Sequence, residues 1–287
     1  MTTPPRILTI AGSDSSGGAG IQADIKTITM LGGYAMSAIT AITAQNTQGV
    51  SAVEALSGEL VLEQMAACIE DIGVDAVKIG MLGSEDIVCH VAAGLVAAPE
   101  IGARSVRGHA ARNPPPGVGR MPIVLDPVMV ATSGSLLASN PVIDAMRARL
   151  FPLATVLTPN LPELEVLGGA DIRSLGDMRE AALRLAQEYG FHVLAKGGHG
   201  SGETVIDLLV APDGFTLKAE DARIETRNTH GTGCTLASAL ATFLGAGFEL
   251  AEAFAQARAF VRSAMLAAPG FGLGHGPLGH QAAVRSG

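Results

Sequence analysis

The densest group of chemistry-bearing residues is His230-Gly231-Thr232-Gly233-Cys234-Thr235, directly before the apolar stretch 236–244. A Gly-x-Gly turn entering a helix aims successive N–H groups at one point, where the helix dipole is positive, so the segment reads as an anion cradle. Cys234 falls at that helix start, a position that lowers a thiol pKa and favours thiolate. A lone cysteine is usually a small core residue, but the polar glycine loop around this one favours function. Pairing with His230 would make Cys234 a nucleophile. The hydrolase elbow, however, needs glycine at 232 and 236, where Thr232 and Leu236 stand. A base and anion-hole role fits better, with Gly231, Thr232, Gly233 and Cys234 as the catalytic candidates.

A second glycine-rich segment, residues 12–20 (GSDSSGGAG), lies between an apolar run and a helical pattern. Glycine there lets backbone approach a ligand closely, and the following helix supplies free N–H groups. A tight turn alone is the other reading and stays open. Gly18-Ala19-Gly20-Ile21-Gln22-Ala23 also fits the dinucleotide pattern G-x-G-x-x-A, which would make the chain an oxidoreductase. That pattern wants an acidic residue some twenty positions on, and none occurs between Lys26 and Glu54. No G-x-x-x-x-G-K-[ST] surrounds any lysine, so a P-loop is excluded.

Further polar groups follow apolar runs: Asp126 after PIVL, Asn160 and Glu163 after TVLTP, and Lys196-Gly197-Gly198 after HVLA. Carboxylates at strand ends suit Mg2+ held through water, and a lysine there suits phosphate. Each alone is a cap or a surface charge; four in succession point to a ligand crevice. Gln45 follows another such run, and its carboxamide offers a donor and an acceptor side by side, matching an aminopyrimidine edge.

These groups need a scaffold. Strand-like runs at 7–11, 34–43, 76–82, 122–129, 155–158 and 192–195 alternate with helical patterns at 19–31, 59–72, 85–98, 142–150, 175–189, 235–244 and 250–265. Alternation of this kind predicts an α/β fold with a mostly parallel central sheet and helices on both faces. A hairpin interrupts it, 204–210 and 215–218 about Ala211-Pro212-Asp213-Gly214. Residues 104–120, rich in Pro, Gly and Arg, read as a mobile loop insertion within a single domain spanning 1–287.

Composition bounds the rest. Of 287 residues 36 are glycine and 48% hydrophobic, with 3% aromatic, so a sizeable aliphatic core is expected and disorder is not. A net charge of −8 with few rings argues against nucleic-acid binding. The charge-free run 27–53 is interrupted by Gly32-Gly33 and rich in Thr, which argues against a membrane span. Three scattered cysteines form neither a disulfide framework nor a metal motif, so a reducing, cytoplasmic setting is expected.

The segments ILTIAGSDSSGGAGIQADIKT, AITAQNTQGV, VKIGMLGS, VLDPVMVATSG, LTPNLPELEVLGG, AKGGHG, NTHGTGCTLASALA and GHGPLGH, in this order over nearly the whole chain, resemble the hydroxymethylpyrimidine/phosphomethylpyrimidine kinases of the ribokinase-like superfamily. The cysteine in the anion-hole loop, where most sugar kinases of the superfamily have aspartate, makes the resemblance specific. It implies ATP- and Mg2+-dependent phosphorylation of 4-amino-5-hydroxymethyl-2-methylpyrimidine and of its monophosphate, in thiamin biosynthesis, by a homodimer. Gly12, Asp24, Gln45, Met81 and Val128 would then line the pyrimidine pocket. Asn160, Glu163 and Lys196 would serve the nucleotide, Asp126 and Glu163 the metal, and Cys234 would take the hydroxyl proton. Gly134-Ser135 departs from the Gly-Asp usual there, and 104–120 is longer than usual. A pyridoxal or pyridoxine kinase of the same fold is the nearest alternative, and a non-catalytic vitamin- or pyrimidine-binding protein another.

Overall fold

The computed structural model describes residues 3–105, 121–129, 138–198 and 202–283, with backbone alone for 99–105. Its frame is an eight-stranded sheet. The strands in chain order are β1 (Arg6–Ala11), β2 (Tyr34–Ile39), β5 (Ala76–Ile79), β6 (Ile123–Leu125), β7 (Val156–Leu157), β8 (His192–Ala195), β9 (Thr204–Val210) and β10 (Thr216–Ala222). They lie in the order β10-β9-β8-β7-β6-β5-β1-β2. From β8 to β2 every pairing is parallel; β9 and β10 join antiparallel at one edge, as the hairpin signal predicts.

The parallel strands are continuous apolar runs because helices cover both faces. Alternation along each strand sorts side chains between two cores. Leu8, Ile10, Val77, Ile79, Ile123, Leu125, Leu157 and Val193 face one of them. Helices α2 (Gly58–Asp71), α3 (Glu85–Ser105), α4 (Asn140–Arg149), α5 (Leu161–Gly168) and α6 (Leu175–Tyr189) complete that core. Ile7, Ala76, Val124, Val156 and Leu194 face the other, closed by α1 (Gly20–Met30), α7 (Thr232–Gly245) and α8 (Leu250–Leu266). Two positions break the second pattern. Thr9 and Lys78, register partners on β1 and β5, point where apolar residues are due, and both are fully buried.

Three sequence expectations are corrected. The run 34–43 is not one strand: at Thr40 the chain leaves the sheet, and β3 (Ala41–Asn46) pairs instead with β4 (Gly49–Ala55) in a separate ribbon with a bulge at Ala44/Gln45. Thr40 makes the exit, its amide bonded to Ala11 O and its hydroxyl to Met81 O at 2.7 Å. Second, α5 lies outside the helical patterns of the sequence; a capping box between Asn160 and Glu163 starts it. Third, α7 starts at Thr232, so Cys234 lies in its first turn. Of the expected insertion, residues 104–105 end α3 and 106–120 lie outside the described residues, as does Gly134-Ser135. Among the described residues no helix is long and apolar enough to cross a membrane.

Candidate active site

Two glycine loops meet beyond the carboxyl ends of β1 and β5. The 12–20 loop is organised by Asp14, whose Oδ2 accepts from the amides of Gly18 and Ala19 (3.1 and 2.8 Å) and whose Oδ1 accepts from Ser16. The same Oδ2 lies 2.7 Å from His230 Nε2, and the pair is buried. Burial works against the Asp14 charge, but His230, Ser16 and Ala19 hold its carboxyl below the usual range. Thus Asp14 pins the residue that precedes the 231–234 cradle onto the other loop. His230 is thereby engaged away from Cys234, and no nucleophile–base pair forms.

The loops touch so closely that side chains are excluded. A Cβ on Gly231, which has φ +86°, would overlap Gly18 O, and one on Gly18 would overlap the His230 ring. Gly231 caps α7, and α1 begins beside it at Gly20, so two helix N-termini converge. Cys234 lies in the first turn of α7, where the nearby Gly20 amide favours its charged form.

The expected thiolate is overturned. Loss of water pushes the Cys234 thiol up to about 11, and the carboxylates of Asp24 and Asp126 add to the rise. Lys78 and the Gly20 amide oppose it without prevailing. The helix-dipole argument omits the burial of the thiol, the larger cause, and these two buried anions.

Lys78 forms the floor. Its Nζ lies 3.0 and 2.8 Å from the two oxygens of Asp24, with both side chains fully buried. Thr9 (2.5 Å) and Ser238 (2.6 Å) donate to the same carboxylate, so one cluster ties β1, α1, β5 and α7. Burial acts against the Lys78 charge, yet Asp24, Cys234 and Asp126 more than offset it and raise the pKa. Asp24, expected in the pocket lining, is therefore beneath it, saturated by protein partners. Lys78 was invisible to motif reasoning; its signal is a lysine at an inward position of an apolar strand, which demands a buried partner.

On the other side, Lys196 Nζ lies 2.8 Å from Asp126 Oδ1, and Thr158 donates to that oxygen at 2.8 Å. Lys196 and Asn160 extend β8 and β7 as a parallel bridge. Glu163 returns its carboxylate to the Asn160 amide (2.8 Å), and burial, with help from Asp126, raises it to about 7 despite Lys196. The cradle adjoins this group: the Cβ position of Gly233 lies 3.2 Å from Lys196 Nζ and 3.6 Å from Asp126 Oδ2. So Asp126, Asn160, Glu163, Lys196 and the 231–234 turn come together.

The pocket candidates gather less completely. Gly12 and Met81 touch, since a Cβ on Gly12 would overlap Met81 Cε, and the Gly12 amide donates to Met81 O at 3.1 Å. Gln45 is joined to the 12–20 loop by Ser15, whose Oγ accepts from its amide and donates to its carbonyl, both at 2.8 Å. Val128, partly buried, is tied by its amide to Asp126 O; among the described residues no hydrogen bond joins it to the Gly12–Met81 pair. Among the described residues no cluster of three or more His, Cys, Asp or Glu could enclose a metal.

Glycine cradle, convergent helix starts and a Lys–Asp floor at the carboxyl edge of a parallel sheet define a ribokinase-like scaffold. Solved structures agree. A Bacillus subtilis pyridoxal kinase, in an ADP complex, superposes with TM-score 0.82 at 33% identity, covering 98% of both chains. A Clostridium difficile phosphomethylpyrimidine kinase superposes with TM-score 0.73 at 38% identity, covering 90% of this chain and 97% of that one. The phosphomethylpyrimidine kinase family model matches residues 14–103 and 117–279, and the chain belongs to that family. The hydroxymethylpyrimidine/phosphomethylpyrimidine kinase of Rhizobium meliloti is 46% identical over 95% of this chain and 96% of its own. The bifunctional thiamine biosynthesis protein ThiED of Geobacter sulfurreducens is 44% identical, and this chain spans 52% of its length. For the multifunctional ThiED of Corynebacterium efficiens the corresponding share is 36%.

Proposed function

We propose that this chain transfers the γ-phosphoryl group of ATP to the hydroxymethyl oxygen of 4-amino-5-hydroxymethyl-2-methylpyrimidine, and phosphorylates the resulting monophosphate to the diphosphate. The observation that carries the reading is the seam between the two glycine loops. It brings the Cys234 thiol, the Gly20 amide and the first amides of α7 to one point, with Lys196 and Asp126 adjoining. Kinship with single-function kinases over nearly their full length supports the substrate class.

Phosphoryl transfer asks mainly for positioning and charge neutralisation. Gln45, Gly12, Met81 and Val128 hold the pyrimidine ring, and Gln45 pairs with its amino edge. The amides of residues 231–234 and Lys196 receive the charge that builds on the transferred group, usually the largest catalytic term. Mg2+, when bound, would neutralise phosphate oxygens. Asp126 and Glu163 suit it as outer ligands, since Mg2+ keeps most of its water and binds few carboxylates. Cys234, in its thiolate form, takes the hydroxyl proton and becomes a neutral thiol; a loose transition state needs that acceptor only as the new bond forms. Before the transfer, the negative charge of that thiolate faces Lys78 and is favoured by the Gly20 amide.

A second reading has its own support: the pyridoxal kinase superposes with a higher TM-score than the phosphomethylpyrimidine kinase does. ATP consumption measured side by side with hydroxymethylpyrimidine and pyridoxal separates them. The proposal expects kcat/KM for the pyrimidine to exceed that for pyridoxal, and the reverse order would overturn it.

A further inference from the structure

The nucleotide half of the cleft has a buried support that no mechanistic role yet uses. β8 and β9 pair through Ala195↔Leu208, and the ladder then stops. The next amide, that of Gly197, donates at 2.8 Å to the side chain of Asp207 instead of to a strand carbonyl. The two chain segments run close together there, and a side chain at 197 is excluded: a Cβ on Gly197 would overlap Ile206 O. Asp207 is 6% exposed and its second oxygen accepts from Arg258 Nε at 2.7 Å. Arg258, on α8 and 8% exposed, also donates to Val205 O at 2.9 Å and to Asp221. From the outer side Arg223 donates to Gly198 O and Gly202 O at 3.0 and 2.7 Å.

The result is a peptide held from both ends. Lys196 points inward to Asp126, and Gly197, one residue on, is fixed outward by Asp207. Gly198 follows with no neighbour among the described residues within 4 Å of its Cβ position and no positive φ. Among the described residues neither packing nor backbone conformation requires glycine at 198, whereas a ligand approaching the backbone would.

We propose that Asp207, held by Arg258, is a positioning residue for the nucleotide: it sets the 196–198 backbone against which the phosphates of ATP lie. The inference rests on the kinase reading above for the identity of the ligand. An ion pair with a purely structural role would change melting temperature and leave the two substrates equally affected. A positioning role predicts a split.

The test uses Asp207→Asn, which keeps an acceptor for Gly197, and Asp207→Leu/Arg258→Met, which removes acceptor and charges together. Replacing a buried ion pair by apolar side chains of similar size is often neutral or stabilising, so the double variant is the one expected to fold. Losing one such hydrogen bond at a ligand-bearing backbone costs about tenfold in affinity. The double variant should therefore raise the KM for ATP, and the Kd for ADP by calorimetry, about tenfold, with the pyrimidine KM within about twofold of wild type. Asp207→Asn should recover most of the loss. Unchanged ADP affinity in the folded double variant, or equal shifts in both KM values, would overturn the proposal. Wild-type protein that binds ADP yet phosphorylates no pyrimidine would overturn the kinase substrate reading alone.

Discussion

At the scale of the residue, the site is governed by how few cations serve many acids. Asp24, Asp126, Glu163 and Cys234 share Lys78 and Lys196 within one floor. With Lys78 committed to Asp24, the thiol stays protonated at rest. The sign of its pH dependence follows. Only the thiolate can accept a proton, and with the thiol at about 11 its fraction grows about tenfold per pH unit below that value. We expect kcat/KM of the wild type to rise between pH 7 and 9. Cys234→Ala should lose that slope and fall about 10²–10⁴-fold, the usual worth of a positioned base. A wild-type profile that is flat over this interval would remove Cys234 as the base. Residue identity was legible for Cys234 and Lys196, because glycine turns and strand ends flag them. The protonation state was not, since it depends on burial of the thiol and on Asp24 and Asp126, all brought about only by folding.

At the scale of the element, function depends on two loops that come from distant parts of the chain and share one seam. Helix α7 supplies the anion-binding amides, but their aim is set by Gly231, wedged against Gly18 O, and by the Asp14–His230 pair. A side chain at 231 would need a positive φ and displacement of the neighbouring loop. Gly231→Ala should therefore reduce kcat by about 10²-fold or more through misaimed amides, the scale of losing an oxyanion donor. Gly83→Ala is the control, because it too has positive φ (84°) but nothing within 4 Å. Equal activity of the two variants would show that the seam does not set the geometry. The other helices were readable from their period, and the parallel strands as continuous apolar runs. The ribbon β3–β4 was not: its apolar residues continue the run of β2, and only the third-party contacts of Thr40 turn the chain out of the sheet. Helix α5 escaped for a different reason: at 8 residues it is too short to show a clear helical period, and its Asn160–Glu163 box reads equally as a cap and as ligand chemistry.

At the scale of the whole molecule, the carboxyl-terminal segment joins what the sheet keeps apart. His275 and Gly274 donate their amides to Thr47 in the β3–β4 turn, the His230 amide donates to Gly276 O, and Leu278 and Ala283 enter the α7–α8 core. His280 is its buried anchor, 1% exposed and 2.8 Å from Thr235 Oγ1 at the start of α7. Burial, with Lys26 nearby, lowers its pKa to about 4. Between that value and the unfolded value of 6.5, the unfolded chain binds a proton that the folded chain refuses. This contribution to stability is complete above pH 6.5 and drains away as pH falls toward 4, by about 3 kcal/mol at most. Glu163, raised to about 7, works in the opposite direction over much of the same range, so the wild-type curve alone conceals both. The difference between wild type and His280→Gln isolates the anchor. Urea unfolding at pH 7.5, 6, 5 and 4.5 should show the wild type losing more stability than the variant with each step down. Parallel curves would mean that His280 takes up its proton without disturbing the fold, and that the tail is not held by a neutral imidazole.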